Sequence, residues 1–84
     1  KLEVYQIKIE ENFKKIFTEI VVFLRNGESN WGGEELTETA LLLEKAKALA
    51  LQDVENNLMR NENLYYQYFK IREKQFEIIE RVLP

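Results

Sequence analysis

From Leu64 to Pro84 the chain reads LYYQYFKIREKQFEIIERVLP, its most aromatic and most regularly amphipathic stretch. Tyr65, Tyr68, Phe69, Phe76, Ile79 and Val82/Leu83 fall at helical spacing, whereas Lys70, Glu73, Lys74, Glu77 and Glu80 lie largely outside that stripe. The period predicts a helix that buries one face. A single such helix is not a stable object in water, so the rest of the chain has to supply its partners.

Two further segments repeat the pattern. In about Leu2 to Arg25, the residues Leu2, Tyr5, Ile9, Phe13, Ile16, Ile20 and Phe23/Leu24 form a bundle seam. Glu10 precedes Lys14, and Glu11 precedes Lys15, by one helical turn, which reads as a solvated outer face. Val21 to Leu24 widen the apolar stripe, so this end of the helix is expected to be the more deeply buried. Arg25-Asn26-Gly27 then stops it, since a glycine past the last turn takes the left-handed conformation that closes a helix. A second segment, about Glu34 to Arg60, carries Leu36, Ala40, Leu43, Ala46/Lys47, Ala50, Val54 and Leu58 as its seam, with Leu41, Leu42, Leu49 and Leu51 outside it. A helix apolar over more than one stripe belongs between two neighbours, or between one neighbour and another chain. Its alanines permit close approach and favour the helix.

The connections fit this reading. GESNWGG, Gly27 to Gly33, holds all three glycines of the chain and reverses its direction. It lacks a preceding strand, a lysine and the G-x-G-x-x-G spacing, so it is not read as a nucleotide loop. Trp31 within it is read as folding back to cap the core, with a partner or membrane-surface contact as the competing account. The second break, Asn56-Asn57 to Asn63, is polar, and Asn61 or Asn63 is a plausible N-cap for the last helix. So short a connection favours antiparallel neighbours, with a near-continuous helix kinked through Asn61 as the competing account.

Composition excludes several classes of function. There is no histidine and no cysteine, which removes the commonest proton-transfer group, thiolate chemistry and disulfides. The net charge of −3 is spread over interleaved acids and bases, without the basic patch that nucleic acid requires. The longest apolar run, Ile20 to Leu24, falls far short of the ~20 residues of a spanning helix. Glu73, Glu77 and Glu80 share a helix face, but the Glu-x-x-His pairs of carboxylate-bridged metal bundles are missing, so solvated charge is favoured over a weak magnesium or calcium site. The best ligand candidate is Tyr65, Tyr68 and Phe69 with Arg72, together with Tyr66 and Phe76, because rings stack on an aromatic acid while an arginine forks onto its carboxylate. Core packing is the favoured account of the same rings.

Certain polar letters go beyond helical patterning. Tyr65-Tyr66, Tyr68-Phe69, Arg72-Glu73 with Gln75, and Ile79-Glu80-Arg81, Leu83 and Pro84 resemble the YY…YF..RE.Q…IER.LP run of the putative aromatic acid exporter C-terminal domain family. Ala50-Leu51, Glu55-Asn56 and Leu58 are similar to it as well, so the likeness is specific over about residues 46 to 84. It implies a bacterial membrane protein with spanning helices in its N-terminal half and a helical domain on the cytoplasmic side.

The expectation is therefore a single all-α domain over residues 1–84: an antiparallel bundle of three long helices, about 2–25, 34–60 and 62–83. The bundle is open to completion to four or more helices by a missing segment or by oligomerisation. The start at Lys1 and the end at a proline suggest a piece of a longer membrane protein. In function, the chain is expected to be a non-catalytic cytoplasmic domain acting in assembly or regulation, with no metal and no cofactor. Its expected partners are other copies or helices of the parent chain, with no nucleic acid and no membrane contact of its own. The alternative is a sensor of aromatic carboxylates that binds them between helices two and three at Tyr65, Tyr68, Phe69 and Arg72.

Overall fold

In the computed structural model, which describes residues 2–28, 30–57 and 60–82 and the side chains outside 53–63, the chain forms α1 (Leu2–Asn26), α2 (Glu34–Asn57) and α3 (Arg60–Val82). No strand occurs among the described residues. The all-α reading and its three helices are those found. The predicted seam residues Val54, Leu58 and Leu83 and the capping candidates Asn61 and Asn63 lie outside the described residues or side chains.

α1 stops as its sequence dictates. Gly27 takes φ 77° and donates its N–H to the carbonyl of Phe23 at 2.7 Å, a conformation that strains any residue with a Cβ. Gly33, at φ 80°, turns the chain into α2, and its carbonyl accepts the Leu36 N–H at 3.0 Å. Between them Trp31 packs against the core and donates Nε1–H to Glu35 Oε1 at 2.7 Å. The capping account of Trp31 therefore describes where the ring lies.

Long-range contacts fix the topology. Asn12 Nδ2 donates to Glu38 Oε1 at 2.9 Å, and Lys8 lies 3.8 Å from the same oxygen, which sets the middle of α1 beside the first turns of α2. Lys47 Nζ donates to both oxygens of Glu73, at 2.9 and 3.0 Å, joining α2 to α3. Phe13 meets Phe76 with ring centroids 6.4 Å apart, and Glu10 meets Tyr68 and Arg72, so α1 and α3 run parallel with α2 antiparallel to both. The backbone of α2 packs along both neighbours, while α1 and α3 meet chiefly through long side chains. The result is a rod of 49 × 20 × 16 Å. Its radius of gyration, 14.5 Å, exceeds the ~12 Å of an equally long chain folded to a sphere-like shape.

The core draws on all three helices: Leu2, Ile9, Phe13 and Ile16 from α1, Leu43, Ala46 and Ala50 from α2, and Phe69, Phe76 and Ile79 from α3. Each large side chain among them contributes roughly 1.5–3 kcal/mol by leaving water. The small alanines bring the backbone of α2 close to both neighbours.

Three expectations are corrected. The C-terminal end of α1 is the exposed end, with Leu24 74% exposed and Val21 and Phe23 also open. The cause is the loop, which folds back along α1 so that Asn30, Trp31, Glu34 and Glu35 line a groove with Lys15, Glu19 and Val22, and the last turns of α1 run past the start of α2. In α2 the seam passes through Thr39, which is fully buried, while Ala40 is exposed. Leu36, Thr39, Leu43, Ala46 and Ala50 keep the alternating three–four step, and the small side chain of threonine fits it. Finally, Glu10 is not part of a solvated outer face, because it turns towards α3.

Candidate functional site

The most structured polar group lies where α1 faces α3. Tyr68 and Arg72, one turn apart on α3, project to the same side. The Tyr68 hydroxyl and Arg72 Nη2 both donate to Glu10 Oε2. Arg72 Nε donates to the Tyr68 oxygen at 3.3 Å, and Nη1 donates to Gln75 Oε1 at 2.7 Å. The guanidinium carbon sits 4.8 Å from the centre of the Phe13 ring and 5.5 Å from that of Tyr68. One planar cation is thus held by a carboxylate, a phenol, an amide and two aromatic faces.

The electrostatics follow from this arrangement. Burial alone raises the pKa of the Glu10 carboxyl, but the hydrogen bonds from Tyr68 and Arg72 and the arginine's charge outweigh it, leaving Glu10 below the ordinary carboxylate value. For Tyr68, burial and the bond to Glu10 push the phenol up. Burial disfavours the charged form of Arg72, and its bonds to Tyr68 and Glu10 more than restore it. Charged Glu10, neutral Tyr68 and charged Arg72 are therefore the state the fold selects. On the opposite side of α3, the bond to Glu73 raises the pKa of Lys47 against a lowering by burial.

Of the four predicted ligand residues, Phe69 is enclosed at 0% exposure. The Tyr65 ring stacks on it at 6.2 Å, and Tyr68 meets it edge-on at 5.3 Å. Tyr68 and Arg72 face α1, so the four do not line one cleft between α2 and α3. A groove of about 460 Å³ opens instead beside α1, lined by Gln6, Leu64, Tyr65 and Tyr68. Glu73 is engaged by Lys47, while Glu77 and Glu80 are exposed, and no group of acids is gathered as for a metal ion among the described residues. Sequence reasoning missed Glu10 as a member of the cluster. Its Lys14 neighbour at one turn offered a sufficient local partner, and nothing in the helical period says which helix lies across.

Aromatic packing on one face and a closed ion cluster between the outer helices define a helical packing domain. The chain belongs to the putative aromatic acid exporter C-terminal domain family, whose model matches residues 1–84. It is 57% identical over 84 residues to the "Uncharacterized protein YqjA" of Bacillus subtilis (strain 168), a match covering 100% of this chain and 26% of that relative. The chain thus spans about a quarter of the length of the curated relative it matches. No solved structure matches it. Membership of an exporter family implies association with a membrane, and no helix among the described residues is long and apolar enough to cross one.

Proposed function

We propose that this chain is a non-catalytic assembly domain on the cytoplasmic side of a bacterial aromatic acid exporter-like membrane protein, where it joins copies of the parent. The observation that carries this reading is the division of α1 and α3 into two apolar faces. One face closes the core, while a second, formed by large side chains such as Phe17, Val21, Leu64, Ile71 and Ile78, faces water. Isolated exposed apolar residues are ordinary, but so many on two adjacent helices mark a docking surface. Light scattering on the chain at low micromolar concentration tests the proposal: a multimer is expected, and a clean monomer with little dye binding to apolar surface contradicts it.

The sensing alternative draws on the groove beside Tyr65 and Tyr68, whose volume of about 460 Å³ lies within the ~300–1,000 Å³ usual for small ligands. An aromatic carboxylate reaching Arg72 there has to displace Glu10. Calorimetry with a panel of aromatic carboxylates on the wild type and Arg72→Ala decides it, since no heat from any of them removes the idea.

A further inference from the structure

Glu10 rests its carboxylate in a cradle that does not depend on it. Arg72 Nη1 donates to Gln75 Oε1 at 2.7 Å and Nε to the Tyr68 oxygen at 3.3 Å, and the Phe13 and Tyr68 rings lie 4.8 and 5.5 Å from the guanidinium carbon. Gln75 and Tyr68 stand on α3 with Arg72 itself, and Phe13 is fixed by the core. The Tyr68 hydroxyl and Arg72 Nη2 then converge on one point, which Glu10 Oε2 occupies. A guanidinium and a phenol aimed together at one oxygen are donors suited to a carboxylate, and donors held in place beforehand lose little entropy when one binds. Glu10 itself reaches them from the other helix, and its side chain stays 37% exposed, so solutes have access to the same point.

The space beside this point is shaped for more than a glutamate. Gln6 stands one turn before Glu10 on α1, and Leu64 and Tyr65 stand one turn before Tyr68 on α3; with Tyr68 they line the groove of about 460 Å³. Tyr68 thus belongs both to the groove and to the donor pair. One helical turn is about 5.4 Å, the length of a single ring or a short alkyl body. Deepening the sensing reading, on which it rests, and independent of assembly, we infer that Glu10 is a tethered competitor: a free monocarboxylate with a compact apolar body takes its place on Tyr68 and Arg72, lays that body in the groove and releases Glu10 from α3. Because α1 and α3 meet chiefly through long side chains, the exchange removes a polar tie between them and leaves the Phe13–Phe76 contact. A competitor built into the chain weakens binding without abolishing it, since the apparent Kd is the intrinsic one divided by the fraction of molecules whose site is open. For a partly exposed, charge-assisted contact that fraction is on the order of a tenth, so removing Glu10 strengthens binding about tenfold.

NMR titration reads this from the backbone amides of Gln6, Tyr65 and Tyr68, with benzoate as the probe and benzamide as its uncharged counterpart of the same shape. Saturable shifts with benzoate are expected in the wild type and in Glu10→Ala, with a Kd about tenfold lower in the variant. No such shifts are expected with benzamide, or with benzoate in Glu10→Ala/Arg72→Ala. Equal affinity in the wild type and Glu10→Ala overturns the competitor and leaves the sensing reading standing. Shifts with benzamide as strong as those with benzoate, or binding that survives Arg72→Ala, overturn the carboxylate's place on Arg72. A wild type that stays silent at about a hundredfold the Kd of the variant makes Glu10 a fixed ion-pair partner and removes both readings, as does silence in both proteins. Glu10→Gln, which keeps the length of the side chain without its charge, gives the same comparison where circular dichroism shows that Glu10→Ala fails to fold.

Discussion

Phe69 and Ile71 are two residues apart on α3, both large and apolar, and the structure gives them opposite roles: Phe69 is 0% exposed and Ile71 58%. Replacing Phe69 by alanine removes a ring packed against Tyr65 and Tyr68 and leaves a cavity in the core. Such truncations cost about 3–5 kcal/mol. A domain of 84 residues has roughly 4–12 kcal/mol to lose at ~0.05–0.15 kcal/mol per residue, so about a quarter or more of the total disappears. With a urea slope of ~1–3 kcal/mol per molar, the midpoint falls by about 2 M. Ile71→Ala, made where water already reaches the side chain, should change stability by less than about 0.5 kcal/mol. The assay is urea unfolding followed by circular dichroism, at dilutions where the midpoint no longer depends on concentration, so that any interface drops out. Equal shifts for the two variants, or a larger one for Ile71→Ala, refute the division of α3 into two faces.

The remaining predictions concern the polar groups. A double-mutant cycle of Glu10→Ala and Arg72→Ala should give a coupling of about 1–2 kcal/mol by chemical denaturation, above a surface pair but discounted for the partial exposure of both side chains; additivity within error rejects the cluster. The lowered pKa of Glu10 makes its contribution to stability fully present above the unfolded value of about 4.3 and lost as pH falls through the folded one. Acid unfolding of Glu10→Gln should therefore be shallower below about pH 4.5 than that of the wild type, and identical curves count against the assignment. The Oγ1 of Thr39 is buried with no hydrogen-bond partner, so Thr39→Val should hold or raise the melting temperature, by up to about 1 kcal/mol of stability. A loss on that scale means the hydroxyl has a partner.

Much of the fold was legible because a helix advertises its buried side through spacing. Ile9, Phe13 and Ile16, like Phe69, Phe76 and Ile79, were readable as core before any coordinates, and Gly27 marked the end of α1 through its backbone freedom. What spacing leaves open is the sliding of one helix against another. The overhang of α1 depends on a loop that doubles back along it, and no period encodes that, so Val21 to Leu24 read as buried. Hydrophobicity also misplaced the α2 seam, since alanine at position 40 looked the better core residue than threonine at 39. At the candidate site, Tyr68 and Arg72 were visible as neighbours one turn apart. Their acceptor Glu10 lies more than fifty residues away in the chain, where only the packing of α1 on α3 identifies it. The second apolar faces of α1 and α3 were in the sequence as well, but they became distinguishable from the first only once the core had claimed its own residues.

The central claim is that each outer helix keeps one apolar line for its own bundle and another for a second copy. Isotope-filtered NMR on a mixture of labelled and unlabelled chains separates contacts within a chain from contacts between chains. The account predicts Phe13–Phe76 ring contacts within one chain alone, and contacts between chains from the methyl groups of Ile71 and Ile78. Phe13–Phe76 contacts found between chains, or Ile71 and Ile78 methyl groups without any contact to a second chain in the multimer, contradict it.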